Sequence, residues 1–172
     1  MLKEAFKFPE IERNFLRILT ATTRSPRPGE KDGRDYLFLS RPEFLSLKKR
    51  GGFLEAKNFL GNFYGTPKSF FQQADEQEKF PLLCIDVDGA FNIKKIYRRK
   101  TVLIFIEPPS ERILFARLLS RRTEGASILK KRLRIAKKEV KYAEKYRYRL
   151  VNKNLKRAGE ELRRILLKEI AG

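Results

Sequence analysis

The chain has 172 residues, about one domain's worth, and its 41% apolar and 35% charged residues are typical of a globular protein. The single cysteine, Cys84, excludes an internal disulfide and a C-x-x-C zinc site, and the absence of histidine excludes imidazole catalysis and His-ligated metals. The formal charge of +19, from 40 Lys+Arg against 21 Asp+Glu, favours anionic partners such as nucleotides, nucleic acid or acidic membrane surfaces, although solubility alone would also explain it.

No apolar run reaches the roughly 18 residues that a membrane-spanning helix needs. The first 20 residues carry Glu4, Glu10 and Glu12 and have no apolar segment of the kind found in a secretory signal. We therefore expect a cytoplasmic protein. Among enzyme reactions, phosphoryl transfer remains open, because it depends on positioning and charge stabilisation that arginines and carboxylates can supply.

The first half of the chain predicts short helices and strands. Residues 2–7 have the apolar spacing of a helix that Pro9 ends, and residues 15–20 predict a strand. A strand over residues 36–39, a helix over 40–49 capped by Ser40 and a strand over 53–56 form a small sheet-rich subdomain. Residues 80–87 and 101–106 are mostly apolar and predict central strands covered on both faces. Asp86 then lies near the carboxyl end of a buried strand, where α/β sheets place functional groups.

The second half of the chain predicts mainly helices. Residues 110–119 form a helix with Ser110 as N-cap, and residues 121–127 interrupt the helical periodicity. A long basic helix over residues 127–147 follows, then a short strand over 150–152. The inner face of the long helix should carry Ile128, Ile135, Val140 and Ala143, and the closing helix is striped by Leu155, Ala158, Leu162, Ile165 and Leu166.

A rigid cationic loop is predicted after the first strand. Arg24 and Arg27 lie three residues apart in a segment stiffened by Pro26 and Pro28 and bent by Gly29. Because proline fixes the backbone and glycine permits a turn, the two guanidinium groups should form a cup rather than a helix face. A guanidinium fork matches the oxygens of a phosphate, so such a cup suits a phosphate group.

The residues around this loop resemble the guanylate kinase family. The resemblance rests on T-T-R-S-P-R-P-G-E at residues 22–30, G-R-D-Y at 33–36 and G-N-F-Y-G-T at 61–66, and it extends from about Thr20 to Leu167. It implies a single α/β domain over residues 1–172, with a P-loop-kinase-like parallel sheet core whose first strand is missing. It also implies a small GMP-binding insertion over residues 25–73 and a basic lid over residues 121–131.

The activity that the resemblance implies is transfer of a phosphoryl group from ATP to GMP, with Mg²⁺ on the ATP. The residues expected to hold the GMP phosphate are Arg24, Arg27, Tyr36 and Tyr64, with Thr20 and Glu30 nearby. Those expected to read the guanine base are Glu55, Thr66 and Asp86. Those expected to clamp the ATP phosphates and the transferring group are Arg117, Arg121 and Arg132, with Asn152 on the adenine side.

Each of these residues also has a simpler explanation when it is considered alone. Solvated surface charge would explain the arginines, and packing of a small sheet would explain the tyrosines. Glu55 would be a charge at a strand edge, and Asp86 a cap at the end of a strand. The sequence also departs from the family pattern at Cys84, Asp88, Arg122, Lys153 and Asn154.

A G-x-x-x-x-G-K-[ST] loop, which holds the ATP phosphates in this family, does not occur in the sequence. Residues 1–6 resemble the helix that follows that loop. One hypothesis is a coding start placed too late or an interrupted gene. The other is a relative that kept the GMP pocket and acts as a GMP-binding or protein-interaction module. For these 172 residues we expect GMP binding and ATP-dependent turnover reduced by several orders of magnitude.

Nucleic-acid binding is a third hypothesis, and it rests on charge alone. Basic residues are concentrated over residues 94–100 and 130–149. Such binding would weaken steeply with added salt, and competing GMP would leave it unchanged. We consider the nucleotide hypotheses better supported, because specific motifs accompany the charge there.

Overall fold

The computed structural model describes residues 1–119 and 126–171, which divide into two compact units, one of residues 1–12 with 99–172 and one of residues 13–98. The helices are α1 Leu2–Ala5, α2 Pro9–Asn14, α3 Arg41–Lys49, α4 Lys68–Glu76, α5 Val87–Tyr97, α6 Glu111–Leu119, α7 Ala126–Val140 and α8 Leu155–Ala171. The strands are β1 Phe15–Arg17, β2 Ala21–Thr22, β3 Leu37–Phe38, β4 Phe53–Phe59, β5 Asn62–Pro67, β6 Phe80–Leu82, β7 Ile104–Glu107 and β8 Tyr148–Val151. In the described ranges, no helix is both long and apolar enough to cross a bilayer.

The unit of residues 13–98 contains a four-stranded sheet in the order β3-β2-β5-β4. Strand β2 pairs in parallel with β3 and antiparallel with β5, and β5 forms an antiparallel hairpin with β4. Helix α3 covers one face of this sheet, where its fully buried Phe44 packs with Ala21 and Phe53. Ser40 and Glu43 form a capping box at the start of α3, so the predicted N-cap is confirmed.

A second sheet in the same unit joins β1 and β6 in parallel. A core of Ile18, Phe71, Ala74 and Ile93 lies near it and brings together residues of α4 and α5. The Phe71 and Tyr97 rings stack at 5.2 Å between centroids. This apolar packing fixes α5, whose first residues reach the candidate site described below.

The other unit joins β7 and β8 in parallel, and α8 packs against β8 and α1. The predicted stripe on α8 is confirmed for Ala158, Leu162 and Leu166, which are buried, whereas Leu155 is exposed. Gly159 gives α8 its close approach to α1, because a Cβ atom there would lie 2.6 Å from the Glu4 Cβ. The parallel pairs in both units agree with the predicted α/β class.

Two local predictions were wrong, and a third, for the helix before Pro9, was confirmed only in part. The apolar run over residues 80–87 is a strand only to Leu82, because the chain turns at Asp86 into α5. The strand is not covered on both faces, since the Phe80 side chain is 52% exposed. Helix α1 ends before Pro9, as expected, but Pro9 then begins α2, a position that proline favours. The long basic helix ends at Val140, which is exposed rather than on an inner face. The interruption predicted over residues 121–127 lies mostly outside the described residues.

Candidate functional site

One face of the four-stranded sheet carries most of the predicted site residues. Along β5, Tyr64 pairs with Thr22 on one side and Lys57 on the other, and Thr66 pairs with Glu55. Since successive residues of a strand point to opposite faces, these five side chains share a face, which we call the polar face. The opposite face carries Ala21, Ala56 and Phe63, which pack in the core under α3.

A β-bulge at Leu54 sets which residues of β4 reach the polar face. The register passes from Phe53 opposite Pro67 to Glu55 opposite Thr66, so two residues of β4 face one of β5. In a regular strand without a bulge, Phe53 and Glu55 would share a face, because they are two residues apart. With it, the Phe53 ring stacks on Phe44 at 4.5 Å between centroids while Glu55 lies on the polar face.

The cationic loop is organised by Glu30. The Arg24 Nη2 atom lies 2.8 Å from the Glu30 Oε2 atom, and the backbone N–H of Arg27 donates to the same oxygen at 2.8 Å. Partial burial works to raise the pKa of the Glu30 carboxyl, but the Arg27 N–H and the Arg24 guanidinium together hold it below its usual value. Glu30 is therefore an anion that holds the two arginines of the predicted cup together.

Aromatic rings flank the Arg24 guanidinium. Its central carbon lies 5.4 Å from the Tyr36 ring centroid and 5.7 Å from that of Phe38, within the range of a cation–π contact. The Tyr36 and Tyr64 rings meet edge to face at 6.5 Å. Burial raises the pKa of the Tyr36 hydroxyl, so this group is neutral at physiological pH and able to donate a hydrogen bond.

Two threonines fix the backbone of Phe63 and thereby place Tyr64. The Thr22 hydroxyl donates to the Phe63 carbonyl at 3.0 Å, and the Phe63 N–H donates to the Thr23 hydroxyl at 2.9 Å. The Thr22 hydroxyl also accepts from the Arg24 N–H at 3.2 Å, so it connects the cationic loop to β5. Sequence reasoning gave these threonines no role, although they stand directly before Arg24.

Glu55 and Thr66 form the carboxylate end of the polar face. The fully buried Thr66 hydroxyl donates to the Glu55 Oε1 atom at 2.7 Å. Burial raises the pKa of the Glu55 carboxyl and the charge of Asp86 adds to this, while the Thr66 hydrogen bond and the charge of Lys57 act in the opposite direction. The second oxygen, Oε2, lies 3.5 Å from the position of a Cβ atom at Gly89.

Asp86 begins α5 beside Glu55. Its Oδ1 atom accepts from the Gly89 N–H at 3.0 Å, so the simpler explanation of a cap holds in modified form, at a helix start rather than a strand end. Its other oxygen forms an ion pair with Lys57, which also lies 3.2 Å from the exposed carboxylate of Asp88. Sequence reasoning missed Lys57, whose signal is a lysine two residues after Glu55 in an apolar strand.

Thr20, Arg117, Arg132 and Asn152 belong to other segments of the chain than the strands of the polar face. The Thr20 carbonyl accepts from the Leu37 N–H at 3.1 Å and so helps to dock β3. In the unit that contains α6, the Arg117 side chain donates to the Asn152 carbonyl at 2.9 Å, and the buried Asn152 Oδ1 atom has no hydrogen-bond partner among the described residues. Arg132 lies on α7, and Arg121 lies outside the described residues.

The known proteins that are similar to this chain and are named below are all guanylate kinases. Residues 2–169 match the guanylate kinase family. A guanylate kinase of Wolbachia pipientis wMel is 40% identical over 163 residues, which are 95% of this chain and 81% of that protein. A guanylate kinase of Deinococcus radiodurans is 45% identical over 141 residues, 82% of this chain and 59% of that protein. The crystal structure of guanylate kinase from Anaplasma phagocytophilum superposes with a TM-score of 0.76 at 32% identity, covering 97% of this chain and 81% of that one.

Proposed function

Because the chain belongs to the guanylate kinase family, we propose that it transfers a phosphoryl group from ATP to GMP, forming ADP and GDP. The observation that carries the proposal is the arrangement of the polar face, with arginines beside one end and carboxylates at the other. Along β5, Tyr64 and Thr66 are two residues apart, about 7 Å at the usual rise of a strand. That spacing suits a nucleoside monophosphate lying along the strand, with its phosphate near Tyr64 and its base near Thr66.

Arg24, Arg27, Tyr36 and Tyr64 would bind the GMP phosphate. Glu30 holds the Arg24 side chain and the Arg27 backbone in place before the ligand arrives, which lowers the entropy lost on binding. The hydroxyl groups of Tyr36 and Tyr64 would add hydrogen bonds to the phosphate.

Glu55, Thr66 and Asp86 would select guanine. Thr66 donates one hydrogen bond to the Glu55 Oε1 atom, which leaves one lone pair of Oε1 and both of Oε2 to accept from the ring N–H and exocyclic amine of guanine. Adenine has no ring N–H at that position and would leave the half-buried carboxylate without its partners. A site built for such hydrogen bonds discriminates by roughly 100-fold or more.

The acceptor in this reaction is an oxygen of the GMP phosphate, which is already ionised at neutral pH. It needs no general base, which agrees with a chain that contains no histidine. Arg117, Arg121 and Arg132 would stabilise the charge on the transferring phosphoryl group, and Asn152 would lie on the adenine side. Mg²⁺ would enter as part of the MgATP substrate. We place this reaction in the cytoplasm, in keeping with the single cysteine.

The test is to titrate the 172-residue chain with GMP and with AMP by calorimetry, and to follow GMP-dependent ADP formation from MgATP. Binding of GMP at least about 100-fold tighter than AMP, together with GMP-dependent ADP release, supports the proposal. GMP binding without any ADP release would favour a non-catalytic binding module, which the comparisons do not favour. Absence of GMP binding would overturn the proposal.

A further inference from the structure

We propose that Lys57 is a positioning residue for guanine recognition, whose ammonium group holds the Asp86 carboxylate beside Glu55 and offsets the negative charge of the two. This inference rests on the proposed GMP site. It adds to that site a cation that the family resemblance does not assign. It also gives the lysine a role in base selectivity, since guanine and adenine differ in what they offer to a carboxylate.

The position of Lys57 follows from the hairpin. It lies two residues after Glu55 on β4 and opposite Tyr64 on β5, so it belongs to the polar face. Its side chain is 25% exposed and forms ion pairs with Asp86 and Asp88. The Nζ atom also lies 5.7 Å from the Phe59 ring centroid, so both the strand and the start of α5 hold the ammonium group.

Both oxygens of Asp86 are occupied by these contacts. One accepts from the Gly89 N–H and the other pairs with Lys57. Gly89 lies between the two carboxylates, because a Cβ atom there would lie 3.4 Å from the Asp86 Oδ1 atom and 3.5 Å from the Glu55 Oε2 atom. Lys57 therefore ties the N-terminus of α5 to β4 at the point where the two carboxylates approach each other.

Two half-buried carboxylates so close together repel each other, and one would take up a proton unless a cation stands nearby. The described groups that act on Glu55 are the Thr66 hydroxyl on β5, Lys57 on β4 and Asp86 before α5. Of these, Lys57 is the positive charge. Removing it would raise the pKa of the Glu55 carboxyl further, so that Glu55 would be protonated at a higher pH.

A protonated Glu55 would lose selectivity as well as affinity. Only the carboxylate can accept two hydrogen bonds from guanine, whereas a carboxylic acid also presents an O–H donor, which the ring nitrogen of adenine can accept. Loss of Lys57 should therefore weaken GMP binding most at low pH and narrow the difference between GMP and AMP there. A purely structural lysine would weaken binding equally at every pH.

The experiment measures the Kd of GMP and AMP by calorimetry from pH 5.5 to 8.5 for the wild type, Lys57→Met, Lys57→Arg and Lys48→Met. Lys48 is exposed on α3, across the sheet from the polar face, so its replacement removes the same charge away from the site. We expect Lys57→Met to bind GMP about 10-fold more weakly near pH 6 and to recover as the pH rises, by the scale of a one-unit pKa change. Lys57→Arg should follow the wild type within about 3-fold, because it keeps the charge, and Lys48→Met should match the wild type.

The double variant Lys57→Met/Asp86→Asn keeps the test decisive if Lys57→Met alone does not fold, since it leaves no unpaired carboxylate at position 86. Relative to Asp86→Asn alone, it should lose less GMP affinity near pH 6 than Lys57→Met loses relative to the wild type, because removal of the Asp86 charge lowers the pKa of the Glu55 carboxyl beforehand. A flat pH profile for Lys57→Met, or equal losses of GMP affinity near pH 6 in both backgrounds, would overturn the inference. Failure of the wild type to bind GMP would instead overturn the proposed function.

Discussion

The Thr66 hydroxyl donates a 2.7 Å hydrogen bond to the Glu55 carboxylate from the neighbouring strand. One oxygen of the carboxylate thus accepts a hydrogen bond before any ligand binds, and this bond restricts the Glu55 side chain. A recognition group fixed in this way loses little side-chain entropy when it meets its partner. The Glu55 carboxyl is also half-buried, so burial opposes its ionisation and raises its pKa.

Glu55→Gln should weaken GMP binding and stabilise the fold at the same time. Loss of a charge-assisted acceptor should lower GMP affinity by about 10- to 100-fold. The raised pKa of Glu55 means that its ionised form costs stability as pH rises through the folded-state value, so the variant should unfold at a higher temperature at pH 7. This gain should vanish below about pH 4.5, where a glutamate is protonated in both states. Calorimetric titration and thermal unfolding test both effects, with exposed Glu76→Gln as control.

Arg24→Lys should impair GMP binding although it keeps the charge. A lysine cannot reproduce the planar contact with the Tyr36 and Phe38 rings or a forked pair of donors to a phosphate. We expect GMP affinity to fall by about 10-fold or more. Arg41→Lys is the matched control, because Arg41 also lies over a ring, that of Phe63, but on α3. Equal affinities in the two variants would contradict the assignment of Arg24 to the phosphate.

Glu30→Gln should lower the free energy of unfolding at neutral pH but not at acid pH. The folded-state pKa of Glu30 lies below its unfolded value, so its contribution is present above the unfolded pKa and is lost as pH falls through the folded one. At pH 7 the variant should lose about 1.5 kcal/mol of unfolding free energy, the lower end of the usual range for hydrogen bonds to a charged group, because Glu30 is partly exposed to solvent. The difference from the wild type should shrink below about pH 4. Urea unfolding from pH 7 to pH 3 measures this, and a constant difference over that range would contradict it.

Thr22→Val tests the link between the cationic loop and β5. The substitution keeps the shape of this fully buried side chain but removes its hydroxyl group. The Phe63 carbonyl then loses its hydrogen-bond donor, and the Arg24 N–H loses its acceptor. We expect a loss of about 1–3 kcal/mol in unfolding free energy, the cost of buried groups without a partner. GMP affinity measured below the unfolding temperature should also fall, because Tyr64 and Arg24 lose their common support. An unchanged affinity would limit Thr22 to a role in stability.

Gly159→Ala should destabilise the protein although alanine is the better helix former. A Cβ atom at this position would lie 2.6 Å from the Glu4 Cβ atom, at the base of a side chain that cannot rotate away. Overpacking of this kind costs about 1–3 kcal/mol, more than the ~1 kcal/mol that alanine gains over glycine in a helix. Urea unfolding should show the loss, whereas Arg164→Ala, at an exposed position of α8, should change stability by less than about 0.5 kcal/mol.

The sequence predicted the parts of this structure that depend on local chemistry. Ser40 was predicted to cap a helix, and the structure has it as the N-cap of α3, where Glu43 completes a capping box. The restriction of the backbone by two prolines and a glycine predicted a cup of Arg24 and Arg27, and the resemblance to guanylate kinases placed Glu30 and Tyr36 beside it. The roles of these residues in binding GMP remain predictions, as do the boundaries of the insertion and the lid.

The sequence could not predict features that depend on register or on distant partners. The bulge at Leu54 is visible only when β4 and β5 are paired. Lys57 gains its role from Asp86, 29 positions further along the chain, and the apolar run before Asp86 predicts a strand more readily than the start of α5. Helix α5 was not predicted, because Val87 continues the apolar run of residues 80–87, which is typical of a strand.

The bulge at Leu54 also limits how this hairpin can evolve. Substitutions on β4 alter either the core or the ligand-binding surface, one at a time, so its composition can drift while both remain in use. Deleting Leu54 would keep Phe53 and Glu55 on opposite faces, because they would still lie opposite the neighbouring residues Pro67 and Thr66. Deleting Ala56, with Lys57 kept opposite Tyr64, would instead move Glu55 opposite Gly65, on the face that packs under α3. The hairpin can therefore lose a residue at the bulge more readily than next to it.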